Sequence, residues 1–290
     1  MHFVKMHGTG NDFVLIETKG DERDWSRLAV AMCDRHFGVG ADGILLLLPS
    51  DKAAVRMRVL NPDGSEPEMC GNGIRCLAKY AVERGLVRPD GGCFDVETGA
   101  GTLTVQVIGD KHRVEKVRVG MGRPRLAADE IPVLVNADPP LVNIPLELID
   151  GASRQVLPVT AVSMGNPHAV HFVQQPVAGF PLAQVGPLVA FHPLFPNGAN
   201  FEVARVLDRR SIEARVWERG AGPTLACGTG ASAIMVAARL QGMVESAVDI
   251  TLPGGTLTLE WDGEGEVLMT GPAVAVFEGE WPLDEDASTP

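Results

Sequence analysis

The sequence repeats one pattern: Asn61-Pro-Asp-Gly-Ser-Glu-Pro-Glu-Met-Cys70-Gly-Asn-Gly73 in its first half and Glu218-Arg-Gly-Ala-Gly-Pro-Thr-Leu-Ala-Cys227-Gly-Thr-Gly230 in its second. Each copy follows a predicted strand, runs through a polar loop that contains glycine, and ends on Cys-Gly-x-Gly before a predicted helix. A single Cys-Gly-x-Gly is a weak signal. Two copies in equivalent positions, about half the chain apart, predict a duplicated fold.

This duplication predicts an α/β protein of two related domains. The first domain is placed at residues 1–122, with 272–290 returning to it, and the second at 123–271. If a pseudo-two-fold axis relates the two halves, the two helix starts face each other. Cys70 and Cys227 are then expected to lie opposite one another.

Local patterns predict individual elements on either side of the repeat. Period-two alternation and β-branched residues indicate strands near Val170 and at Phe13–Glu17, Val55–Leu60, Thr102–Ile108, Val114–Val119, Phe201–Val206 and Ser211–Trp217, with two more within Thr251–Gly271 across Gly263–Gly265. Helical spacing indicates helices at Asp24–Phe37, Ile74–Gly85 and Gly230–Gly242. The segment Ala127–Leu157 is interpreted as a strand-and-loop crossover, and Asp284–Pro290 as a frayed tail.

The composition predicts a substantial, mostly aliphatic core. Hydrophobic residues make up 45% of the 290 residues, but aromatic residues only 5%. The formal net charge is −12, and an acidic chain without a basic stripe is not typical of nucleic-acid binding. The apolar run Ile44–Leu48 is too short to span a bilayer, and the polar segment Met1–Phe13 lacks the pattern of a signal peptide.

The five cysteines indicate a reducing compartment, because their number is odd and no export signal is recognised. They lack the paired C-x-x-C spacing of a zinc ribbon. Lone cysteines are usually small buried hydrophobes, and Cys33, Cys76 and Cys93 are interpreted in that way.

The repeated cysteines can be interpreted differently, since each precedes a helix. A helix N-terminus offers unpaired backbone N–H groups and the positive end of the helix dipole, and both favour a thiolate. The flanking glycines let backbone amides approach a ligand closely, and such amides bind a carboxylate. One thiolate could remove a proton from one face of a carbon while the opposing thiol delivers a proton to the other face. No cofactor and no metal are required.

At these residues the sequence resembles the diaminopimelate epimerase family. The similarity runs in order over about Met1–Gly279 and is carried by the segments Lys5-Met-His-Gly-Thr-Gly-Asn-Asp-Phe13, Arg35-His-Phe-Gly-Val-Gly-Ala-Asp42, Asn61-Pro-Asp-Gly-Ser65, Cys70-Gly-Asn-Gly-Ile-Arg75, Met164-Gly-Asn-Pro-His168, Gly198-Ala-Asn-Phe-Glu202, Glu218-Arg-Gly-Ala-Gly222 and Ala226-Cys-Gly-Thr-Gly230.

The resemblance implies two pseudo-symmetric, mirrored α/β domains, each a barrel-like, mostly antiparallel sheet around a central helix. It implies a cofactor-independent inversion of L,L-diaminopimelate to the meso form, for lysine and peptidoglycan precursors, by a cytoplasmic homodimer.

The resemblance also assigns roles to residues. Cys70 and Cys227 are the implied acid/base pair, and His168 and Glu218 resemble a pair that adjusts thiol protonation. The implied substrate-binding residues are Gly71, Asn72, Gly228 and Thr229 at the reacting carboxylate and Asn11, Asn61, Asn166, Asn200, Glu218 and Arg219 on the rest of the molecule. This second set suits a distal amino-acid end, because it combines acceptors for an ammonium with a guanidinium for a carboxylate.

Other interpretations remain open at several positions. His168 could be a structural histidine, and Asn11 and Asn61 could be turn residues. Gly43 stands where some members have a glutamine that contacts substrate. Pro223 stands at a frequent glutamate, and Phe277 at a tyrosine linked to dimer contacts.

Three other protein classes are compatible with parts of the sequence. A proline or hydroxyproline racemase also uses two facing cysteines, but a small proline pocket has no use for the Glu218–Arg219 pair. The phenazine-type isomerases share the architecture without the two cysteines. In a redox or binding protein, Cys70 and Cys227 would only form a disulfide; in an epimerase, such a bridge would inactivate the enzyme reversibly.

Overall fold

A computed structural model describes residues 1–20, 23–110, 112–151 and 153–282. The chain forms two compact units, one of Met1–Arg118 with Pro272–Pro290 and one of Val119–Gly271. The predicted tail Asp284–Pro290 lies outside the described residues. Every helix within the described ranges is too short or too polar to cross a lipid bilayer.

The first unit surrounds one buried helix with strands. Its elements are β1 (His2–Gly8), β2 (Asn11–Glu17), α1 (Trp25–Cys33), β3 (Gly43–Leu48), β4 (Val55–Leu60), α2 (Gly71–Glu83), β5 (Cys93–Thr98), β6 (Gly101–Gly109), β7 (Val114–Gly120, which runs past the unit boundary) and β17 (Val274–Glu280). Helix α2 packs against β1, β2, β3, β4 and β6. Almost all of its residues from Gly71 to Val82 are buried, as expected of a central helix.

The strands of the first unit pair mostly in antiparallel fashion. The pairs β1–β17, β1–β2, β3–β4 and β5–β6 are antiparallel, and β2–β3 and β4–β5 are parallel. The β1–β2 turn uses Thr9 and Gly10, which both have positive φ, at 55° and 83°. Two such residues match the twist of a tight hairpin. This turn brings Asn11 to the start of β2.

The second unit repeats this plan. Its elements are β8 (Ile144–Asp150), β9 (Ser153–Ser163), β10 (Pro167–Phe172), a short 3₁₀ helix (Val177–Gly179), α3 (Leu182–Ala190), β11 (Asn200–Asp208), β12 (Ser211–Glu218), β13 (Gly222–Thr224), α4 (Gly228–Leu240), β14 (Ala247–Leu252), β15 (Gly255–Glu260) and β16 (Leu268–Pro272). Helix α4 packs against β9, β10, β11 and β15 and is buried from Gly230 to Ala238.

Pairing in the second unit is again mostly antiparallel. The pairs β8–β9, β9–β10, β11–β12, β12–β13, β14–β15 and β15–β16 are antiparallel. The pairs β10–β11 and β12–β14 are parallel. Each unit has its own aliphatic core, with Ile44 and Leu46 in the first and Leu146 and Val203 in the second. The predicted fold class, α/β with a mostly antiparallel sheet around a central helix in each half, is confirmed.

Some predicted boundaries were wrong, for identifiable reasons. Asp24 caps α1 as expected, by accepting a hydrogen bond from the Arg27 N–H at 2.9 Å. The helix nevertheless ends at Cys33 and does not reach Phe37, because Asp34 turns away (φ −58°, ψ 124°) and its side chain accepts the next free backbone N–H groups.

The central helices begin earlier than predicted. Helix α2 starts at Gly71, before the predicted Ile74, and α4 starts at Gly228, before Gly230. Their glycine-containing first turns have weak helix propensity, but a side-chain cap stabilises each of them. The crossover Ala127–Leu157 contains β8 and the first part of β9, which form an antiparallel hairpin.

Candidate active site

Cys70 caps the N-terminus of helix α2. Its backbone is extended (φ −139°, ψ 113°), and its Sγ accepts a hydrogen bond from the Gly73 N–H at 3.4 Å. A Cβ at Gly73 would lie 2.7 Å from a methyl of Leu45, so a larger residue would displace that side chain. The sulfur therefore lies among the polarised N–H groups of a helix start, as the sequence predicts.

Asn11 and Asn72 complete what we call the Cys70 cluster (Asn11, Asp42, Cys70, Asn72). The Asn11 Oδ1 lies 3.9 Å from the Cys70 Sγ and accepts a hydrogen bond from the Asn72 side-chain amide at 3.0 Å. The Asn11 Nδ2 donates to the Asp42 carboxylate at 2.8 Å. Asp42 therefore fixes the orientation of the Asn11 amide and directs its oxygen towards the thiol.

The fully buried side chain of Arg75 is hydrogen-bonded to Asn72 of this cluster and to its neighbours. The Arg75 guanidinium donates to the Thr9 hydroxyl at 2.7 Å, to Asn72 Oδ1 at 3.0 Å and to the Gly71 carbonyl at 3.1 Å. A Cβ at Gly8 would lie 3.1 Å from this guanidinium, so the hairpin approaches α2 closely. Burial lowers the pKa of Arg75 to about 10, which still leaves it positively charged at neutral pH.

Cys227 caps α4 in the same way. Its backbone is extended (φ −125°, ψ 117°), its Sγ accepts from the Gly230 N–H at 3.4 Å, and the Thr229 hydroxyl lies 3.3 Å from the sulfur. Burial raises the pKa of the Cys227 thiol well above its usual value, and the charge of Glu218 raises it further. The lowering predicted from the helix N-terminus is therefore outweighed at Cys227, which keeps its proton at neutral pH.

His168 and Glu202 form a fully buried pair in the second unit. The His168 Nδ1 lies 2.7 Å from the Glu202 Oε1, and its Nε2 lies 3.0 Å from the Asn166 Oδ1. His168 is therefore held at both ring nitrogens. Glu202 is its carboxylate partner.

A pocket of about 270 Å³ in the second unit brings Asn166 and Arg219 together, with Ser163, Arg125 and Asn197 also in its lining. The Arg219 guanidinium donates to the Asn197 carbonyl, and its backbone N–H donates to the Asn200 Oδ1 at 2.9 Å. The pocket therefore offers two arginine cations and an amide, which suit a carboxylate, and Glu130 adds one negative charge to the lining.

Other predicted site residues have local partners. Glu218 accepts a hydrogen bond from the Thr224 hydroxyl at 2.6 Å. The Asn61 Nδ2 donates to the Ser65 hydroxyl at 2.9 Å, and the Asn61 carbonyl accepts from the Gly64 N–H, so this side chain stabilises a turn. Gly71 and Gly228 are the first residues of their helices.

The other cysteines lie outside these clusters. Burial raises the pKa of Cys33 to about 11 and that of Cys76 to about 12, so both are unreactive core residues. Cys93 is only half-buried, and none of the five cysteines forms a disulfide. Among the described residues, no group of three or more His, Cys, Asp or Glu side chains could hold a metal ion.

Comparison with known proteins gives consistent matches over nearly the whole chain. A family model for diaminopimelate epimerase matches residues 3–127 and 160–276. The diaminopimelate epimerase of Moorella thermoacetica is 50% identical over 287 residues, which are 98% of this chain and 100% of that protein. That of Pelotomaculum thermopropionicum is 51% identical over 287 residues, 97% of this chain and 99% of that protein. The chain belongs to the diaminopimelate epimerase family.

Solved structures of more distant proteins share the fold of this family. A probable proline racemase from Agrobacterium radiobacter has a TM-score of 0.71 at 16% identity, covering 99% of this chain and 94% of that one. A phenazine biosynthesis protein of the PhzF family from Bacillus anthracis has a TM-score of 0.69 at 18% identity, covering 98% and 99%. At such identities the likeness concerns the fold alone.

The three positions expected from the sequence to differ from other family members have local structural surroundings of their own. Gly43 begins β3, where a Cβ would lie 2.6 Å from the Leu60 carbonyl oxygen, so a longer residue would push β3 from β4. Pro223 lies in β13 opposite Trp217, and the β12–β13 pairing is retained despite the missing N–H. Phe277 packs edge-on against Phe3, with ring centroids 6.0 Å apart.

The sequence did not single out Asp42, Arg75 and Glu202 as site residues. All three lie within family motifs, so the signal was present in the sequence. Their partners come from other elements, however, and neither spacing nor composition shows that Glu202 is buried against His168.

Proposed function

We propose that this chain is a cofactor-independent epimerase that converts L,L-diaminopimelate to the meso form. The relatives that it matches at about half identity carry the name of this activity. The observation that carries the proposal is the duplicated cap: in each unit a cysteine sulfur at a buried helix N-terminus accepts the N–H three residues on, at 3.4 Å. Inversion needs a proton carrier on each face of one carbon, and this duplication supplies two.

In the proposed mechanism Cys70 and Cys227 are the acid/base pair. One sulfur, as thiolate, takes the α-proton, and the other, as thiol, donates a proton to the opposite face. Because the pKa of Cys227 is raised by burial, Cys227 suits the donor role in the direction in which Cys70 removes the proton. Each turnover leaves the two sulfurs with exchanged protonation states, so the same pair also serves the reverse direction.

The reacting carboxylate would bind to the backbone amides of Gly71, Asn72, Gly228 and Thr229. These amides belong to the first turns of α2 and α4, where the helix dipole favours negative charge. Negative charge develops on this carboxylate as the carbanion forms, so the amides stabilise the transition state more than the ground state.

The distal amino-acid end would bind to polar residues of both units: Asn11, Asn61, Asn166, Asn200, Glu218 and Arg219. The pocket that joins Asn166 and Arg219 supports this assignment for the distal carboxylate. His168 and Glu218 would adjust thiol protonation, and the effect of the Glu218 charge on the pKa of Cys227 is in line with this role.

The test is solvent deuterium entry at the α-carbon of L,L-diaminopimelate, followed by NMR in D₂O. The wild type is expected to incorporate deuterium and to form the meso isomer. Cys70→Ala and Cys227→Ala are each expected to lower net epimerisation by about 10²–10⁴-fold, because each change removes the proton carrier of one face. Cys93→Ala, a half-buried cysteine outside both clusters, is the matched control and should retain activity.

Two outcomes contradict the proposal in different ways. A folded wild type that exchanges no α-proton of diaminopimelate is not this epimerase, and exchange into proline would then identify a proline racemase. Exchange that survives in both alanine variants removes the cysteines from the mechanism.

We further propose that the enzyme acts in the cytoplasm as a homodimer. Five cysteines without a disulfide suit a reducing compartment. For the dimer, the support is the exposed apolar surface of β17, where Val274, Val276 and Phe277 are 43%, 57% and 48% exposed.

A further inference from the structure

Glu202 is a buried carboxylate for which the proposed mechanism has no role. It lies on β11, next to β10 in parallel register, with Val170 opposite Glu202 and His168 opposite Asn200. Glu202 and His168 are both fully buried. A charged side chain in such a place destabilises the fold unless its partner compensates.

The carboxylate uses only one of its two oxygens. Its Oε1 lies 2.7 Å from the His168 Nδ1, whereas its Oε2 has no hydrogen-bond partner among the described residues. Burial raises the pKa of Glu202, and His168 opposes that rise. The contact with His168 is therefore the main compensation for burying this group.

The same oxygen lies against the first turn of α4. A Cβ at Gly230 would lie 2.9 Å from the Glu202 Oε1 and 3.3 Å from the Cys227 Cβ, so a side chain at this position would displace the carboxylate or the cysteine. Glu202 is thus confined from two sides, by the imidazole and by the helix start.

The other ring nitrogen of His168 contacts a residue that lines the pocket of the second unit. Its Nε2 lies 3.0 Å from the side chain of Asn166, which is partly exposed and lines the pocket together with Arg219. Glu202, His168 and Asn166 thus form a continuous hydrogen-bonded chain from the interior of the second unit to the predicted substrate surface.

We propose that Glu202 is a positioning residue: its carboxylate accepts the hydrogen of the His168 Nδ1 and fixes the ring, so that the Nε2–H donates to the Asn166 Oδ1 and holds that amide in place for the substrate. An ionised carboxylate and an amide oxygen can only accept, so each ring nitrogen carries a hydrogen, and the imidazolium and the carboxylate compensate each other's buried charge. Without the carboxylate the ring is free to rotate or to change tautomer, and Asn166 loses its fixed orientation. This inference rests on the proposed function, because it gives Asn166 a substrate to bind.

The first test is the protonation of His168 in the wild type, measured by ¹⁵N–¹H NMR of protein labelled at histidine. The proposal expects a hydrogen on Nδ1 that exchanges slowly with solvent, and a hydrogen on Nε2 as well. Glu202→Leu, which has similar volume and no acceptor, is expected to lose that protonated Nδ1. A wild-type ring whose Nδ1 carries no proton overturns the proposal, whether or not the variant folds.

The second test is a double-mutant cycle on KM for diaminopimelate. Glu202→Leu is expected to raise KM about ten-fold with a smaller effect on kcat, because it misplaces a binding group. In an Asn166→Ala background the same change should raise KM little further, since it acts through Asn166. The control Glu213→Leu removes a half-buried carboxylate on β12 that pairs with Arg205, and it should not couple to Asn166.

If the two changes act independently, their separate effects on KM multiply in the double variant. That result overturns the role of Asn166 as the intermediary. Failure of the proposed function has a different signature. The enzyme would then not act on diaminopimelate at all, while the protonation of His168 could still be measured.

Discussion

Asp12 lies at the centre of a charged network beside the Cys70 cluster. Its carboxylate contacts the Lys5 ammonium at 2.5 Å and the Arg35 guanidinium at 2.8 Å. Arg35 also contacts Asp42 at 2.6 Å, and Asp42 holds the Asn11 amide. Lys5 is buried, so it depends on Asp12 for compensation. The network thus stabilises the first unit and orients a residue next to the thiol.

Asp12 should make this unit sensitive to acid. Burial alone would raise the pKa of Asp12, but hydrogen bonds from Arg35 and Lys5 lower it from 3.8 to about 2. Since the folded pKa is below the unfolded one, the ionised carboxylate stabilises the fold above about pH 4, and this contribution is lost as the pH falls through about 2. The free energy of unfolding from urea titrations should therefore depend less steeply on pH in Asp12→Asn between these values.

The control for this prediction is Asp129→Asn, at an exposed aspartate. It should keep the wild-type pH dependence. If Asp12→Asn keeps it as well, the low pKa of Asp12 and its role in acid stability are wrong.

Helix α3 shows how packing at one position fixes an element that the sequence did not predict. It contains Gly186 and Pro187, both of which disfavour a helix interior. A Cβ at Gly186 would lie 2.5 Å from the Trp217 indole of β12. The glycine is therefore kept for the close approach of α3 to β12, and tertiary contact outweighs its low propensity.

Gly186→Ala is expected to destabilise the protein although alanine is the better helix former. Propensity favours alanine by about 1 kcal/mol, but overpacking against Trp217 costs about 1–3 kcal/mol and displaces the strand that carries Glu218. Urea unfolding should show a lower midpoint for Gly186→Ala, whereas Gln184→Ala on the exposed side of α3 should be neutral or slightly stabilising. Equal midpoints for Gly186→Ala and the wild type would show that the contact with Trp217 relaxes freely.

The sequence predicted the elements whose own pattern is strong. Strand β4 begins and ends at the predicted Val55 and Leu60, because its alternation is regular and one face is buried. The starts of α2 and α4 were placed too late, since the capping cysteines follow no ordinary capping rule. The Cys-Gly-x-Gly repeat revealed both cysteines. It could not reveal Glu202, whose role depends on a neighbouring strand rather than on its own sequence.

At the scale of the molecule, both units use one plan with different chemistry around the sulfur. In the first, the residue five positions after the cysteine is Arg75, which donates to the Gly71 carbonyl at 3.1 Å. In the second, the equivalent Ser232 donates to the Gly228 carbonyl at 2.9 Å. A buried cation thus supports one helix start and a neutral hydroxyl the other, while Glu202 and Glu218 add negative charge near Cys227. The repeat is therefore symmetric in backbone and asymmetric in charge.

The proposed homodimer is the prediction that concerns the whole molecule. Both faces of β17 expose apolar side chains, since Val276 and Phe277, neighbours in the strand, are 57% and 48% exposed. Light scattering during size exclusion is expected to give twice the chain mass of 30.8 kDa.

Phe277→Asp should shift the particle to a single chain mass, because burying an unpaired carboxylate in an apolar contact is costly. Phe191→Asp, at a phenylalanine that is 69% exposed outside β17, should leave the dimer intact. A wild type of single mass at micromolar concentration contradicts the dimer, and a Phe277→Asp variant of double mass places the contact on another surface.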